Sequence, residues 1–201
     1  MTFLPDYFDP TNDPLFCDLI DAVGECFIDD DSHGMSHALN TLDFAMAIAA
    51  GLKERKGGDI DLFVLAAAAL MHDIGRENIF SDPRHGERGA RRAGDILKKL
   101  GAPWDREKIM HLIALHDERD IDEKSAPIEL IILRDADKLE LLRIGPDYLD
   151  LDRLATKEAL ALVGEVLARY DTGETGYREK ADETVRRANE LLAERARGAV
   201  L

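Results

Sequence analysis

A chain of 201 residues with 45% hydrophobic content suits one domain with a sizeable core. Its 41 acidic against 26 basic residues leave a formal net charge of −15, which excludes the basic footprint that nucleic-acid binding requires. Two cysteines, Cys17 and Cys26, make neither a disulfide framework nor a thiolate zinc site, and both are expected as core thiols in a reducing compartment.

The opening residues, MTFLPDYFDPTNDP, lack the basic n-region of a secretory signal and read as an irregular arm over 1–13. A first helix is expected over 14–28. Asp30, Asp31 and Ser32 offer N-caps for a helix over about 34–52 that ends near Gly51, followed by a polar loop from Lys53 to Gly58. Residues 62–71, LFVLAAAALM, are apolar on every side and predict a helix over about 60–74 that is buried all round. This longest apolar run falls well short of the ~20 residues that cross a bilayer, so a cytoplasmic chain with no membrane partner is expected. Gly75 reads as a helix terminator. Asp82-Pro83 has the form of an N-cap followed by proline at N1, opening a helix that Gly101 and Pro103 stop. Asp105 begins the next helix, which ends near His116, and the acidic DERDIDEK stretch is expected as a solvated loop. Pro127 opens a helix over Ile128–Arg143, broken by Gly145-Pro146. Two amphipathic helices, about 156–170 and 176–197, close the chain. Ala and Leu recur at spacings of three and four while alternating strand patterns are missing. The fold class is therefore all-α.

Polar residues of one chemical kind interrupt the apolar faces. His72 and Asp73 end the buried helix, where each is costly to bury unless paired, hydrogen-bonded or bound to a metal. His37 precedes Phe44 and Ile48 by seven and eleven residues, which puts it on the inward face of its helix. His85 is in register with Gly89, Ala93 and Ile96, and the small residues Gly86, Gly89 and Ala90 let another helix or a ligand approach. His116 completes a stripe with Ile109, Leu112 and Ile113, whereas His111 lies about 140° away. Asp137 follows Leu130 and Leu133 at helical spacing, but Asp135 is equally in register with Ile128, Ile131 and Ile132, so periodicity leaves the two tied. Any one of these residues alone is more simply a hydrogen-bonded core histidine or a capping carboxylate. Together they form a set of metal-ligand type, and mixed imidazole and carboxylate donors suit iron, manganese, nickel, cobalt or zinc. The second His-Asp dipeptide, His116-Asp117, repeats the letters of the first, but Asp117 is expected in solvent at the start of the acidic loop.

The order His37, His72-Asp73, Asp137 resembles the H…HD…D signature of the HD-domain metal-dependent phosphohydrolase superfamily. The contexts MHDIGR, HGERGA and LRDADKLELLR are similar to those of a bacterial branch of that superfamily, over roughly residues 33–143. The resemblance implies an all-helical core with the metal site between helices. The chain itself reads as one domain over 1–201, in which 146–201 form a helical extension that walls the pocket or makes a homodimer surface. It implies His37, His72, Asp73 and Asp137 as ligands, the last because the family ligand precedes a basic residue, here Lys138. His85 and His116 match histidines that complete a second site in two-metal members, so two ions are expected in preference to one. The pattern is also similar to the branch that hydrolyses symmetrical diadenosine tetraphosphate, whose closing motif resembles DKLELLR through Glu140 and Arg143. Asn40 departs from the HxxR pattern of many relatives.

Hydrolysis of a phosphate ester or anhydride in a small phosphorylated molecule, a nucleotide or dinucleoside polyphosphate, is the activity this implies. Asp73 would bridge the metals and orient water, and Arg76, one turn from His72, would clamp a phosphate. Lys138 is a second such cation and Arg88 a weaker one, better explained as an ion-pair partner. Two other readings use the same ligands: a di-iron oxygenase, and a module that senses a nucleotide without turnover.

Overall fold

The computed structural model describes residues 13–27, 33–56, 59–78 and 81–198. Of the arm expected over 1–13 only Asp13 is described, as the N-cap of α1, and the expected N-caps Asp30, Asp31 and Ser32 lie outside the described residues. Among the described residues the chain forms eight α-helices and no strand: α1 (Pro14–Gly24), α2 (Met35–Lys56), α3 (Leu62–Met71), α4 (His85–Leu100), α5 (Arg106–Leu115), α6 (Ile128–Glu140), α7 (Lys157–Arg169) and α8 (Thr175–Gly198). No helix among them is long and apolar enough to cross a membrane. The chain divides into two units, with the division between Arg134 and Asp135, inside α6.

In the first unit α3 is the central element. Every residue from Val64 to Met71 is fully buried, and α1, α2 and α5 pack on it while α4 packs on α5 and α1. The run Ala66–Ala69 keeps the middle of α3 thin, so its neighbours surround it closely. Asp61 caps α3 by accepting from Val64 N at 3.0 Å. Glu129, in the first turn of α6, accepts from Asp61 N at 3.0 Å and from Lys108 Nζ at 2.8 Å, which ties the starts of α3, α5 and α6 together. Burial pushes the Glu129 carboxyl up, but the bonds from Lys108 and Asp61 prevail and hold it below the usual range.

Glycine sets how close α4 comes. A Cβ on Gly75 would lie 2.1 Å from His85 O and 2.2 Å from Gly89 N, and one on Gly86 would lie 2.7 Å from Ile113 O. Gly75 is required for this approach rather than for a left-handed helix terminus, since its φ is not positive. Gly101, at φ 63°, is the glycine that ends its helix in the left-handed region. The Asp82-Pro83 signal also resolves differently from expectation. Helix α4 starts at His85 with Arg84 at its N-cap (φ 67°), because Asp82 is already engaged: it accepts from Glu77 N at 2.6 Å and pairs with the Arg88 guanidinium. Helix α2 runs five residues past Gly51. One helical glycine costs only ~1 kcal/mol, less than the burial of Ile48, Ala49 and Leu52 returns. The cysteines are not core thiols: Cys17 is exposed and Cys26 half-buried, since Phe16, Leu19 and Val23 take the inward face of α1.

In the second unit α7 and α8 pair through Leu160, Val163 and Leu167 on one side and Ala188 and Leu191 on the other. Three single 3-10 turns, Leu141–Arg143, Pro146–Tyr148 and Leu151–Arg153, join α6 to α7. Asp135 anchors the entry to α7. Its carboxylate accepts from Ala155 N at 2.9 Å, Thr156 N at 2.7 Å and Thr156 Oγ1 at 2.8 Å, and Thr156 in turn caps α7 by accepting from Ala159 N.

Two stability measurements check this account. Gly75→Ala should lower the unfolding free energy by about 2 kcal/mol or more, as a denaturant midpoint shift at constant slope, whereas Gly176→Ala, where a Cβ meets nothing within 4 Å, should be neutral or slightly stabilising. Glu129→Gln should cost about 1–2 kcal/mol near neutral pH. Because the folded-state carboxyl is held low, its contribution is complete above the ordinary glutamate pKa of about 4.3 and fades as pH falls below it, so the two unfolding curves should converge in acid.

Candidate metal centre

The ends of four helices of the first unit meet at one place. His37 lies in the first turn of α2, His72 is the C-cap of α3, His85 is the first residue of α4 and His116 is the C-cap of α5. All four histidines and Asp73 are buried. Their rings form an edge-to-face series, with centroids 5.0 Å apart for His37 and His72, 5.1 Å for His72 and His116, and 4.8 Å for His116 and His85. His33, just before α2, extends the series, with its centroid 5.5 Å from that of His37.

Hydrogen bonds decide what these rings can do. The Nδ1 atoms of His72, His85 and His116 lie 2.8, 2.8 and 2.7 Å from the carbonyls of Ala69, Asp82 and Ile113, each three residues earlier. A carbonyl only accepts, so each Nδ1 carries the proton and donates it. At the ends of α3 and α5 these bonds also satisfy carbonyls that the terminating helix leaves without an amide partner. With the proton fixed at Nδ1, neutral His85 and His116 point bare Nε2 lone pairs at each other across 3.0 Å, and His72 points its own at His37 Nε2, also 3.0 Å away.

Asp73 completes a pocket of acceptors. Its Oδ2 accepts from His33 Nδ1 at 2.9 Å and Arg76 Nε at 2.7 Å, and lies 3.7 Å from both His37 and His72 Nε2. Its Oδ1 is buried without a hydrogen-bond donor, 3.1 Å from His85 Nε2 and 3.4 Å from His116 Nε2. Burial pushes the Asp73 carboxyl up. When the rings around it are doubly protonated, the charge on His72 and bonds from His116, His33 and His85 outweigh burial and hold it well below the usual carboxylate range. A buried carboxylate oxygen facing two imidazole nitrogens needs positive charge among them, either a proton on a ring or a metal ion. Ligand nitrogens and oxygens about 2.0–2.2 Å from an ion stand roughly 3 Å from one another, the spacing found here. The donor set fits a divalent transition metal.

Three groups in this unit bring ligand atoms within 4.8 Å of one another: His33, His37 and Asp73; His72, Asp73 and His116; and His85, His116 and Asp117. Asp73 belongs to two of them. A family model for the HD domain matches residues 34–142, more than half of the chain. The chain belongs to the HD-domain superfamily of metal-dependent phosphohydrolases. The all-helical HD bundle expected from the resemblance is the fold observed. No curated protein and no solved structure matched this HD-domain chain.

Of the residues singled out in the sequence, His37, His72, Asp73, His85 and His116 are brought together, and Arg76 lies beside them on Asp73. His111 is exposed. Asp137 and Lys138 are half-buried on the part of α6 that belongs to the second unit. There Lys138 Nζ donates to Arg153 O at 2.6 Å and lies 3.4 Å from Asp135 Oδ1, which gives it a task in that unit's own packing. Asp135, tied with Asp137 by periodicity, is the residue whose carboxylate the entry to α7 consumes. Arg88 is an ion-pair and loop residue: it holds Asp82, Gly75 O and Pro83 O.

Two residues were missed. Asp117, expected in solvent, has Oδ2 3.1 Å from His85 Nδ1. His33 gave no helical-stripe signal because it stands in the turn before α2, which starts at Met35.

Metal loading should register as stability. Chelator-treated protein should regain thermal stability with Mn2+ or Co2+, by about 2.7 kcal/mol at a hundred times the dissociation constant. Ca2+, which takes six to eight oxygen ligands, should not substitute. Equal stabilisation by Ca2+, or none by any transition ion, in differential scanning fluorimetry would contradict this donor set.

Proposed function

We propose that this HD-domain protein hydrolyses a phosphate ester or anhydride of a small phosphorylated molecule, a nucleotide or a dinucleoside polyphosphate, and that two divalent transition-metal ions serve the reaction. The observation that carries this reading is the buried, donor-less Asp73 Oδ1 among bare histidine nitrogens. One ion would be held by His37, His72 and Asp73 with Asp137, and the second by His85, His116 and Asp73. Support for Asp137 comes from the motif in which it stands and from the engagement of its competitor, Asp135. Bound ions of this kind polarise a phosphoryl oxygen and lower the pKa of water.

The remaining work falls to the side chains. Asp73 presents one oxygen to each histidine pair, so a single carboxylate relates the two positions and its charge offsets theirs. His33 and Arg76 hold Oδ2 and thereby fix the plane of that carboxylate. Arg76 donates to it through Nε only, and its terminal amino groups have no partner among the described residues, which leaves a planar fork suited to a phosphoryl group. The Nδ1–H bonds hold the histidines in their ligating tautomer before any substrate arrives.

The test is a screen of nucleotides and dinucleoside polyphosphates for phosphate release, run in parallel with Mn2+, Co2+, Ni2+, Fe2+ and Mg2+. Asp73→Ala should abolish turnover and lower metal content while circular dichroism stays native. Turnover of the same substrate at a comparable rate by that variant would place the hydrolytic site elsewhere.

Asp135 and Asp137 separate by opposite defects. Asp137→Ala should lower metal content and activity with little change in metal-free stability, whereas Asp135→Ala should cost about 2–3 kcal/mol by stranding the buried donors of Ala155 and Thr156 and keep its metal at low temperature. The reverse pattern, read by elemental analysis and thermal unfolding, would exchange the two roles.

A further inference from the structure

A carboxylate stands behind the second pair. His116, like His72, gives its Nδ1–H to a main-chain carbonyl. His85 has that bond to Asp82 O and a carboxylate besides, Asp117 Oδ2, 3.1 Å from the same Nδ1. Asp117 is on the edge of the imidazole away from Nε2, the atom that faces His116 and Asp73. Its position is built, since a Cβ on Gly86 would come within 2.7 Å of Asp117 Oδ1, so a side chain there would push the carboxylate aside. The Asp117 side chain is only 22% exposed. The dipeptide His116-Asp117 thus supplies one member of the second pair and braces the other.

We infer that Asp117 is the positioning residue of the second metal position: it holds His85 in its ligating tautomer and makes Nε2 a stronger donor, without itself touching the ion. This rests on the two-ion reading proposed above. A carboxylate accepting from the remote N–H of a ligating imidazole fixes the ring and raises its basicity, and losing such a partner weakens metal binding by about 10–100-fold. Asp117 stands against His85, a member of the second pair, so its effect falls on the second position. The two ions are therefore bound with separately set affinities, and Asp117 sets that of the second.

The experiment is a titration of the metal-free full-length protein with Mn2+, by calorimetry and elemental analysis, for the wild type, Asp117→Asn and Asp117→Ala. The wild type should take up two ions. Asp117→Asn, isosteric and free of charge, should bind the first with wild-type affinity and the second about 10–100-fold more weakly. Asp117→Ala should lose at least as much. Metal-free thermal midpoints should stay close to wild type, and if the alanine variant fails to fold the asparagine variant carries the test alone. Two ions bound by Asp117→Asn as tightly as by wild type would overturn the role of Asp117 and leave the two-ion reading intact. Equal weakening of both ions would show a general structural role and overturn it likewise. A wild type that binds one ion or none would overturn both readings.

Discussion

The centre depends on where three protons are. His72, His85 and His116 each give Nδ1–H to a carbonyl three residues back, so their Nε2 lone pairs have no proton of their own and are forced together at about hydrogen-bond distance. Two of the three carbonyls are left over from terminating helices, which makes the end of a helix and the orientation of a ligand one event. That economy explains why His72 and His116 stand at C-caps rather than within helices. A mid-helix carbonyl already accepts from the amide four residues on, and a ring there would lack this fixed acceptor.

Close packing then brings the lone pairs into one small volume. His85 reaches the end of α3 because Gly75 and Gly89 allow two backbones to pass where a single methyl group would collide, and Gly86 does the same against the last turn of α5. The loop between α3 and α4 is held to this geometry by Arg88, which gathers Asp82, Pro83 O and Gly75 O around one guanidinium. Arg84, at φ 67°, accepts a left-handed backbone beside His85, a conformation that costs a non-glycine residue about 1 kcal/mol or more.

Much of this was legible in the order of residues. A histidine or aspartate within an apolar helical stripe is conspicuous, and His37, His72, Asp73, His85 and His116 were found that way. Periodicity failed where the helix stops. Asp117 stands one residue past the C-cap of α5, among charges that look like solvent-facing loop, and only the packing of α4 on α5, with room left by Gly86, brings it to His85. Asp135 and Asp137 could not be separated by spacing because the deciding contact, with Thr156, lies 21 residues away. The Asp82-Pro83 capping signal was locally sound, but bonds from Glu77 N and Arg88 claimed the same carboxylate. Cys17 shows the opposite error: residue-type preference suggested burial, while one step of 100° around α1 from Phe16 carries it outward.

The spacing of the histidines along the chain has a consequence for folding. The His37–His72 and His85–His116 pairs are separated by 35 and 31 residues, so an ion gripped by either pair closes a loop comparable to that of a long-range disulfide in a chain whose two cysteines form no disulfide. On the polymer estimate for cross-links, loops of that size remove about 3–4 kcal/mol of unfolded-chain entropy. An ion held there should then lengthen the time the folded chain survives proteolysis.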